Sequence, residues 1–494
     1  MTPLTASILY NYTQCPRRVG LDLFGDNTKR DPVNPFIKLL WERGSLFERE
    51  TINGTSQPFL DLSDLEGLAK ETATLEAMRR GEPLIYNGRI SAGRLIGVPN
   101  LLRRDGDGYV PGDIKAGNAE ETPSDDEDDG KPKKHYAVQL AIYVDILERL
   151  GLSGGRRGFI WDVRGREAMY DLTLGRGPKT QNSMWAEYEI TRDEAAAILD
   201  KTAMPLGAYT SACKLCHWHT FCTGELRSSD DLTLIPQLGR SLRDAMIGTV
   251  ASVAIFADSN VESFMAGKKK TVFKGISEER LRKFHRRAIL LTTKNSKPVL
   301  TGPFRLPAMD MELFFDIEVD PMRDVCYLHG IVERTAGDNS TEKFVYFFAE
   351  TETDEAERAA FASAINYFRS KPNASIYYYS KYERTLYRKL QQKFPDVCNA
   401  DEVEQLFDPA KAIDLYYDVV TKITEWPTND QSLKTLAKFL GFKWRDTHPS
   451  GAASIEWFDR WCKERSTEVR QRILDYNEDD CRATRILLDG IRSI

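Results

Sequence analysis

The sequence is poor in cysteine and histidine, with 8 and 6 among 494 residues. Eight cysteines are too few to frame a chain of this length with disulfides, so a disulfide-scaffolded class is excluded and a reducing, cytoplasmic setting is expected. No run of 18 apolar residues occurs, and no membrane span is expected. The stretch MTPLTASILYNYTQCPRR lacks a basic segment followed by an apolar core, so no secretory leader is read there. Positive charge is also short. The net charge of −6 gives the whole chain no cationic field, and contact with a polyanion would have to come from local basic patches. A Gly-x-x-x-x-Gly-Lys-Ser/Thr loop is missing, so any nucleotide-driven motor is expected to act in trans.

What is present is ordinary globular composition, 41% hydrophobic and 29% charged, in a length that suits two to four domains. Three regions separate by pattern: residues 1–225, 226–307 and 308–494. In the first, LIYNGRI, RLIGVPNLL and GYVPGDIKAG read as strands, and HYAVQLAIYVDILERLG reads as a helix from its three- and four-residue apolar spacing. Between them ETPSDDEDDGKPKK reads as a mobile charged loop. The second region is polar and helical. The third opens with strands MELFFDIEV, VCYLHGIVE and KFVYFFAE and continues through helices with one more strand, ASIYYYS, which is an α/β or α+β pattern.

Two carboxylate-bearing constellations stand out. In PGDIKAG, Asp113 and Lys115 lie two apart on one strand face. A carboxylate able to hold a divalent ion, beside a lysine able to stabilise developing charge, suits phosphodiester hydrolysis. Surface strands produce Asp-x-Lys constantly, and the flanks give this one its context. Glu48 follows Gly44 by four positions in an expected helix, and Gln139 and Tyr143 share a helix face. This order resembles the RecB-like branch of the PD-(D/E)XK nucleases. The resemblance implies a restriction-endonuclease-like fold and a metal site of Glu48, Asp113 and the residue at position 100. There the family carries aspartate in a Gly-x-x-Asp pattern, while GVPNLL supplies Asn100. An amide brings no negative charge to a hard-cation site, so weakened Mg²⁺ or Mn²⁺ binding is expected. The same resemblance pairs Cys15 with Cys213, Cys216 and Cys222 of SACKLCHWHTFCTG as a structural [4Fe–4S] site. Thiolate spacing alone leaves tetrahedral Zn²⁺ open, with His217 or His219 able to replace a cysteine.

In the third region, FFDIEVD puts Asp316 and Glu318 on one face of an apolar strand, where two carboxylates are costly unless a cation neutralises them. Tyr476 and Asp480 stand one helical turn apart in ILDYNEDDCRATRILL. With SLKTLAKFLGF, these residues resemble the YprB-type RNase H-like domain, a tyrosine-bearing DnaQ-like exonuclease. That resemblance implies four carboxylates holding two Mg²⁺ or Mn²⁺ ions that activate a water and stabilise the leaving oxygen, with Glu383 of YYYSKYERT where aspartate is usual, and Tyr476 orienting the attacking water. Asp414 is a spare acid.

Between these halves DLTLIPQLGRSLRDAM has the rhythm of a helix–hairpin–helix around Gly239, which would offer backbone N–H groups to phosphate. An ordinary αα-hairpin fits as well. The densest basic stretch supplies Lys268, Lys269, Lys270, Arg286 and Arg287, readable as a solvated face or as a phosphate track. The combined expectation is an α/β multidomain nuclease on single-stranded DNA or DNA ends, 3′→5′ by the implication of the resembled family. Its rivals are a catalytically impaired DNA-end-binding subunit serving a helicase or defence complex, and an RNA-processing exonuclease.

Overall fold

The computed structural model describes residues 2–121, 130–177, 180–307 and 309–494; the acidic stretch 122–129, expected to be a mobile loop, lies outside the described residues. The chain divides into two compact units, Met1–Gly207 with Ser211–Cys222, and Ala208–Thr210 with Thr223–Ile494. The expected middle region thus falls within the second unit. No helix among the described residues is long and apolar enough to cross a membrane.

The first unit is built on a six-stranded sheet of β1 (Leu60–Asp61), β2 (Leu84–Tyr86), β3 (Leu101–Asp105), β4 (Gly108–Ile114), β5 (Arg157–Trp161) and β6 (Glu167–Asp171), in the order β6-β5-β4-β3-β2-β1. Strand β4 is buried along its whole length. It runs parallel to β5, with Asp113 opposite Ile160, and antiparallel to β3. The expected continuous strand RLIGVPNLL is split, because Pro99 cannot donate to a ladder. Leu95–Gly97 joins a separate small sheet and Leu101 begins β3.

Helix α1 (Pro35–Asn53) starts with Asn34 accepting from the Phe36 N–H and Pro35 preset in the first turn. Helix α2 (Lys134–Leu150) is buried from Tyr136 to Leu147 except at Gln139, which is half-buried, so it forms the centre of this unit's core rather than a surface layer. It stops at Gly151, whose left-handed backbone closes the C-cap.

The second unit carries a five-stranded sheet of β7 (Met311–Asp320), β8 (Val325–Thr335), β9 (Asp338–Phe348), β10 (Ala374–Tyr378) and β11 (Ala412–Asp414), in the order β9-β8-β7-β10-β11. The first three strands are antiparallel neighbours, and β10 and β11 run parallel to β7. Period-two alternation along β7 feeds two cores. Leu313, Phe315 and Ile317 pack with α4 (Asp354–Arg369) and α5 (Tyr382–Lys393), whereas Phe314 packs with α7 (Gly451–Glu464) and α8 (Thr467–Arg492). Asp316 and Glu318 share the face of Phe314 and so look toward α7 and α8.

The helical segment before this sheet has its own small core of Leu232, Ile235, Met246, Phe256, Leu281 and Phe284. The expected helix–hairpin–helix departs from its pattern. Leu232–Leu234 is a single 3-10 turn, capped by Asp231, and Pro236 denies it a continuation. Gly239 caps a helix of only seven residues, Arg240–Met246. In helix α3 (Glu278–Thr292) Arg286 is exposed, as are Lys268, Lys269 and Lys270 before it. Arg287 is not: it is 0% exposed, paired with Glu425 and donating to the Pro236 carbonyl, so its expected role on a phosphate track gives way to an internal ion pair.

Candidate active sites

Three carboxylates converge in the second unit. Ligand oxygens of Asp316, Glu318 and Asp480 lie within 4.8 Å of one another, the one such group of three among the described residues. Each is held by a donor from a different part of the chain. Asn477 Nδ2 donates to Asp316 Oδ2 at 2.8 Å. Tyr327 Oη donates to Glu318 Oε2 at 3.4 Å, and Tyr327 is fixed in turn by Ser454 at 2.8 Å. Trp444 Nε1 donates to Asp480 Oδ1 at 2.6 Å. Lys434 Nζ sits 3.1 Å from Asp480 Oδ2 and 2.8 Å from the Tyr476 hydroxyl.

Glycine makes this approach possible. Gly330 lies opposite Asp316 in the β7–β8 register, and a Cβ there would fall 1.6 Å from Asn477 Oδ1. Only a residue without a side chain lets α8 lie this close to β8, bringing Asn477, Tyr476 and Asp480 over the strand.

The electrostatics follow from crowding. Burial, then the charges of Asp480, Glu318 and Glu383, raises Asp316 well above the carboxylate range. Burial and Asp480 push Glu318 up to about 8. Burial and the same carboxylates raise the Tyr476 hydroxyl as well. Such a set takes up protons unless a cation is supplied, and its hard oxygen donors suit Mg²⁺ or Mn²⁺. A divalent ion therefore fits the residues present.

Glu383 stands differently from the expectation. It is 4% exposed, in the first turn of α5, and close enough to raise Asp316, yet outside the group of three. Its carboxylate turns back to its own backbone N–H, leaving Oε2 without a hydrogen-bond partner. Burial, with the Asp414 charge adding, pushes it up to about 8, so it is largely protonated at neutral pH. Asp414 is buried beside it and caps the next turn through the Tyr416 and Tyr417 N–H groups. Lys434, Asn477, Trp444, Tyr327 and Ser454 were not read from the sequence. SLKTLAKFLGF and YNEDDC contain two of them, but only as parts of a pattern.

The first unit brings its sequence-selected residues together too. Asp113 is 1% exposed, accepts from the Asn100 N–H at 3.2 Å and pairs with Lys115 at 3.1 Å. Lys115 Nζ donates to Gln139 Oε1 at 3.0 Å, and Gln139 Nε2 to the Tyr143 hydroxyl at 3.3 Å. Glu48 accepts from Tyr86 at 2.9 Å and hydrogen-bonds the Asn100 side chain. Burial raises Glu48, with the Asp113 charge adding and Tyr86, Lys115 and Asn100 opposing. Asn100 Oδ1 is engaged by the Ile114 N–H at 3.0 Å. Asn100 therefore stitches Glu48 to β4. Gly97 performs the spacing job here, since a Cβ would lie 2.4 Å from the Tyr143 ring.

At the end of this unit, Asp22 accepts from Trp218 Nε1 at 2.8 Å and contacts His217 Nε2 at 2.6 Å. Asp31 receives the Thr220 N–H at 2.8 Å. The segments around Cys15 and Cys213–Cys222 are thus tied together. All four cysteines are partly buried. Burial raises the Cys216 thiol, with Cys15 and Cys213 adding to the rise. Their sulfurs do not form a group of three within 4.8 Å, in contrast to the carboxylates.

Residues 313–491 match the RNase_H_2 family, of the RNase H superfamily. This part of the chain is an RNase H-like domain, and its sheet order and carboxylate group belong to it. A domain of that superfamily with an acidic centre suits a phosphodiester-cleaving hydrolase. No curated protein matches the chain.

Proposed function

We propose that the protein is a divalent-metal-dependent nuclease whose working centre is Asp316, Glu318 and Asp480. It would act as a 3′→5′ exonuclease on single-stranded DNA. The observation that carries this reading is the convergence of three carboxylate oxygens within 4.8 Å at a place that penalises their charge. A Mg²⁺ or Mn²⁺ ion held there supplies positive charge at the attacked phosphate.

The chain's own residues do the rest. Asn477 fixes the rotamer of Asp316, the Tyr327–Ser454 pair fixes Glu318, and the Tyr476 hydroxyl, steadied by Lys434, orients the attacking water. Exposed Lys268, Lys269, Lys270 and Arg286 would track the strand's phosphates. The test is cleavage of 5′- and 3′-end-labelled single strands, DNA against matched RNA, with Mn²⁺, Mg²⁺ or EDTA. Metal-dependent shortening of DNA from its 3′ end supports the reading. Preference for RNA moves it to RNA processing, and retention of the strand without cutting leaves an end-binding subunit for a partner helicase.

In the first unit we infer a RecB-like domain that cuts weakly or only grips the strand. The supporting observation is Asn100, whose amide satisfies Glu48 where the related nucleases place a charge. We infer further that Cys15, Cys213, Cys216 and Cys222, whose segments are tied by Asp22–Trp218 and Asp31–Thr220 although their sulfurs do not converge within 4.8 Å, would draw together around a structural [4Fe–4S] cluster, with Zn²⁺ as the alternative. Cys213→Ser is expected to lose the bound metal, read by iron and zinc content, and to lower the melting temperature of the protein. Unchanged metal content and melting would sink that assignment.

A further inference from the structure

Lys434 places a fixed positive charge inside the carboxylate group. Its ammonium lies 3.1 Å from Asp480 Oδ2, 3.3 Å from Asp480 Oδ1 and 2.8 Å from the Tyr476 hydroxyl. It also stands 4.8 Å from the centre of the Tyr476 ring and 5.6 Å from that of Trp444, faces that favour a cation. Its backbone is anchored where helix α6 (Leu433–Phe439) begins, with Ser432 accepting from the Thr435 N–H. Both oxygens of Asp480 are thereby engaged, Oδ2 by Lys434 and Oδ1 by Lys434 and Trp444, and the Tyr476 hydroxyl hydrogen-bonds the same carboxylate. Asp316 and Glu318 are met only by neutral donors among the described residues, Asn477 on one and Tyr327 and Ser454 on the other.

The charge count follows directly. Three carboxylates carry three negative charges, and one lysine leaves two, the charge of a single divalent ion. A lysine-free set would leave three, one more than a single divalent ion neutralises, and so would keep residual negative charge to draw a second ion. Glu383, lying outside the group, does not change this count.

We propose that Lys434 is the resident counter-cation of this site, neutralising Asp480 from within the chain, so that the three carboxylates load one divalent ion where a lysine-free set would load two. This rests on the reading of Asp316, Glu318 and Asp480 as a metal centre. Lys434 is also a positioning residue for Tyr476, whose hydroxyl it holds over the group.

The experiment is Mn²⁺ titration of the metal-stripped full chain, by calorimetry and electron paramagnetic resonance, in wild type, Lys434→Met and Lys434→Arg. An Asp316→Asn/Glu318→Gln variant subtracts ions bound elsewhere. Wild type is expected to bind one Mn²⁺ more than that control and to give the spectrum of an isolated ion. Lys434→Met is expected to bind a second and to show the spin-coupled signal of a close pair, while Lys434→Arg, which keeps the charge, matches wild type. The same count in Lys434→Met as in wild type, without a pair signal, overturns the role of Lys434 and leaves the metal centre standing. Wild type binding no more than the control overturns the metal centre itself. Should Lys434→Met fail to fold, judged by circular dichroism, Lys434→Gln is read by the same criteria.

Discussion

The two acidic sites of this chain differ in how their charge is closed. In the first unit Asp113 faces Lys115, and Glu48 is answered by Tyr86 and the Asn100 amide, so each carboxylate has a partner within the protein. In the second unit three carboxylates share one lysine, and among the described residues two of them are held only by neutral groups. Burial makes that imbalance expensive. The lesson is that an acidic motif in a nuclease-like order is not by itself a metal centre. What matters is the charge left over after the protein's own donors are counted, and here that remainder lies with Asp316, Glu318 and Asp480.

The largest expected effect of this difference is in ligand stabilisation. An ion that binds only the folded state at about 100 times its dissociation constant adds about 2.7 kcal/mol. Mn²⁺ should therefore raise the melting temperature of wild type clearly and that of Asp316→Asn/Glu318→Gln hardly at all. Glu48→Gln should retain the wild-type response, and its loss there would reverse the ranking of the two sites.

The paired glycines sharpen the contrast. Gly330→Ala drives a methyl group into Asn477 and Gly97→Ala drives one into Tyr143. Overpacking of this kind costs about 1–3 kcal/mol, and both variants should melt earlier. Only Gly330→Ala should also weaken the Mn²⁺ response, because Asn477 orients Asp316. Differential scanning calorimetry with and without Mn²⁺ reads both effects.

The pH dependence is smaller and has a definite sign. Glu318 is raised from an ordinary 4.5 to about 8 in the folded, metal-free protein, so the folded state keeps a proton that the unfolded chain releases. Its stabilising contribution is full below about pH 4.5 and is lost as pH rises toward about 8. Glu383 acts in the same direction. The metal-free second unit should melt progressively earlier between about pH 5 and 8, and saturating Mn²⁺ should flatten that slope. A metal-free melting temperature that rises over this range would contradict the charge count.

The smallest effect is the most specific. Asn100→Asp puts a third carboxylate beside Glu48 and Asp113, removing the amide that satisfies Glu48. In the metal-free state this should lower stability by about 1 kcal/mol, a typical loss for one hydrogen bond, and calorimetry should register new Mn²⁺ binding in the first unit. Absence of any new Mn²⁺ binding would show that more than Asn100 separates the two sites.

Much of this arrangement was legible in the sequence, because strand period and helix turn fix which residues share a face. Asp316 with Glu318, Tyr476 with Asp480, and Gln139 with Tyr143 follow from those periods. The partners that decide the chemistry are harder to read. Lys434 and Trp444 reach Asp480 from 46 and 36 residues away in the chain, and Asn477 reaches Asp316 across 161. No periodicity links them. Arg287 was misread because a basic run looks alike whether its side chains face water or Glu425. Glu383 kept the expected charge type, but its longer side chain turns to its own backbone instead of joining the group. The RNase H-like part was the more readable because its acidic residues sit on long regular elements, whereas Asn100 sits in the interruption that Pro99 creates.

The most direct measurement is Mn²⁺-dependent cleavage of end-labelled single-stranded DNA by wild type, Lys115→Ala and Asp316→Ala/Glu318→Ala, side by side. Removing the working carboxylates should lower the rate by on the order of a thousandfold, while Lys115→Ala should keep most of it. Loss of cleavage in Lys115→Ala with the double variant still active would contradict the central claim and make the first unit the engine.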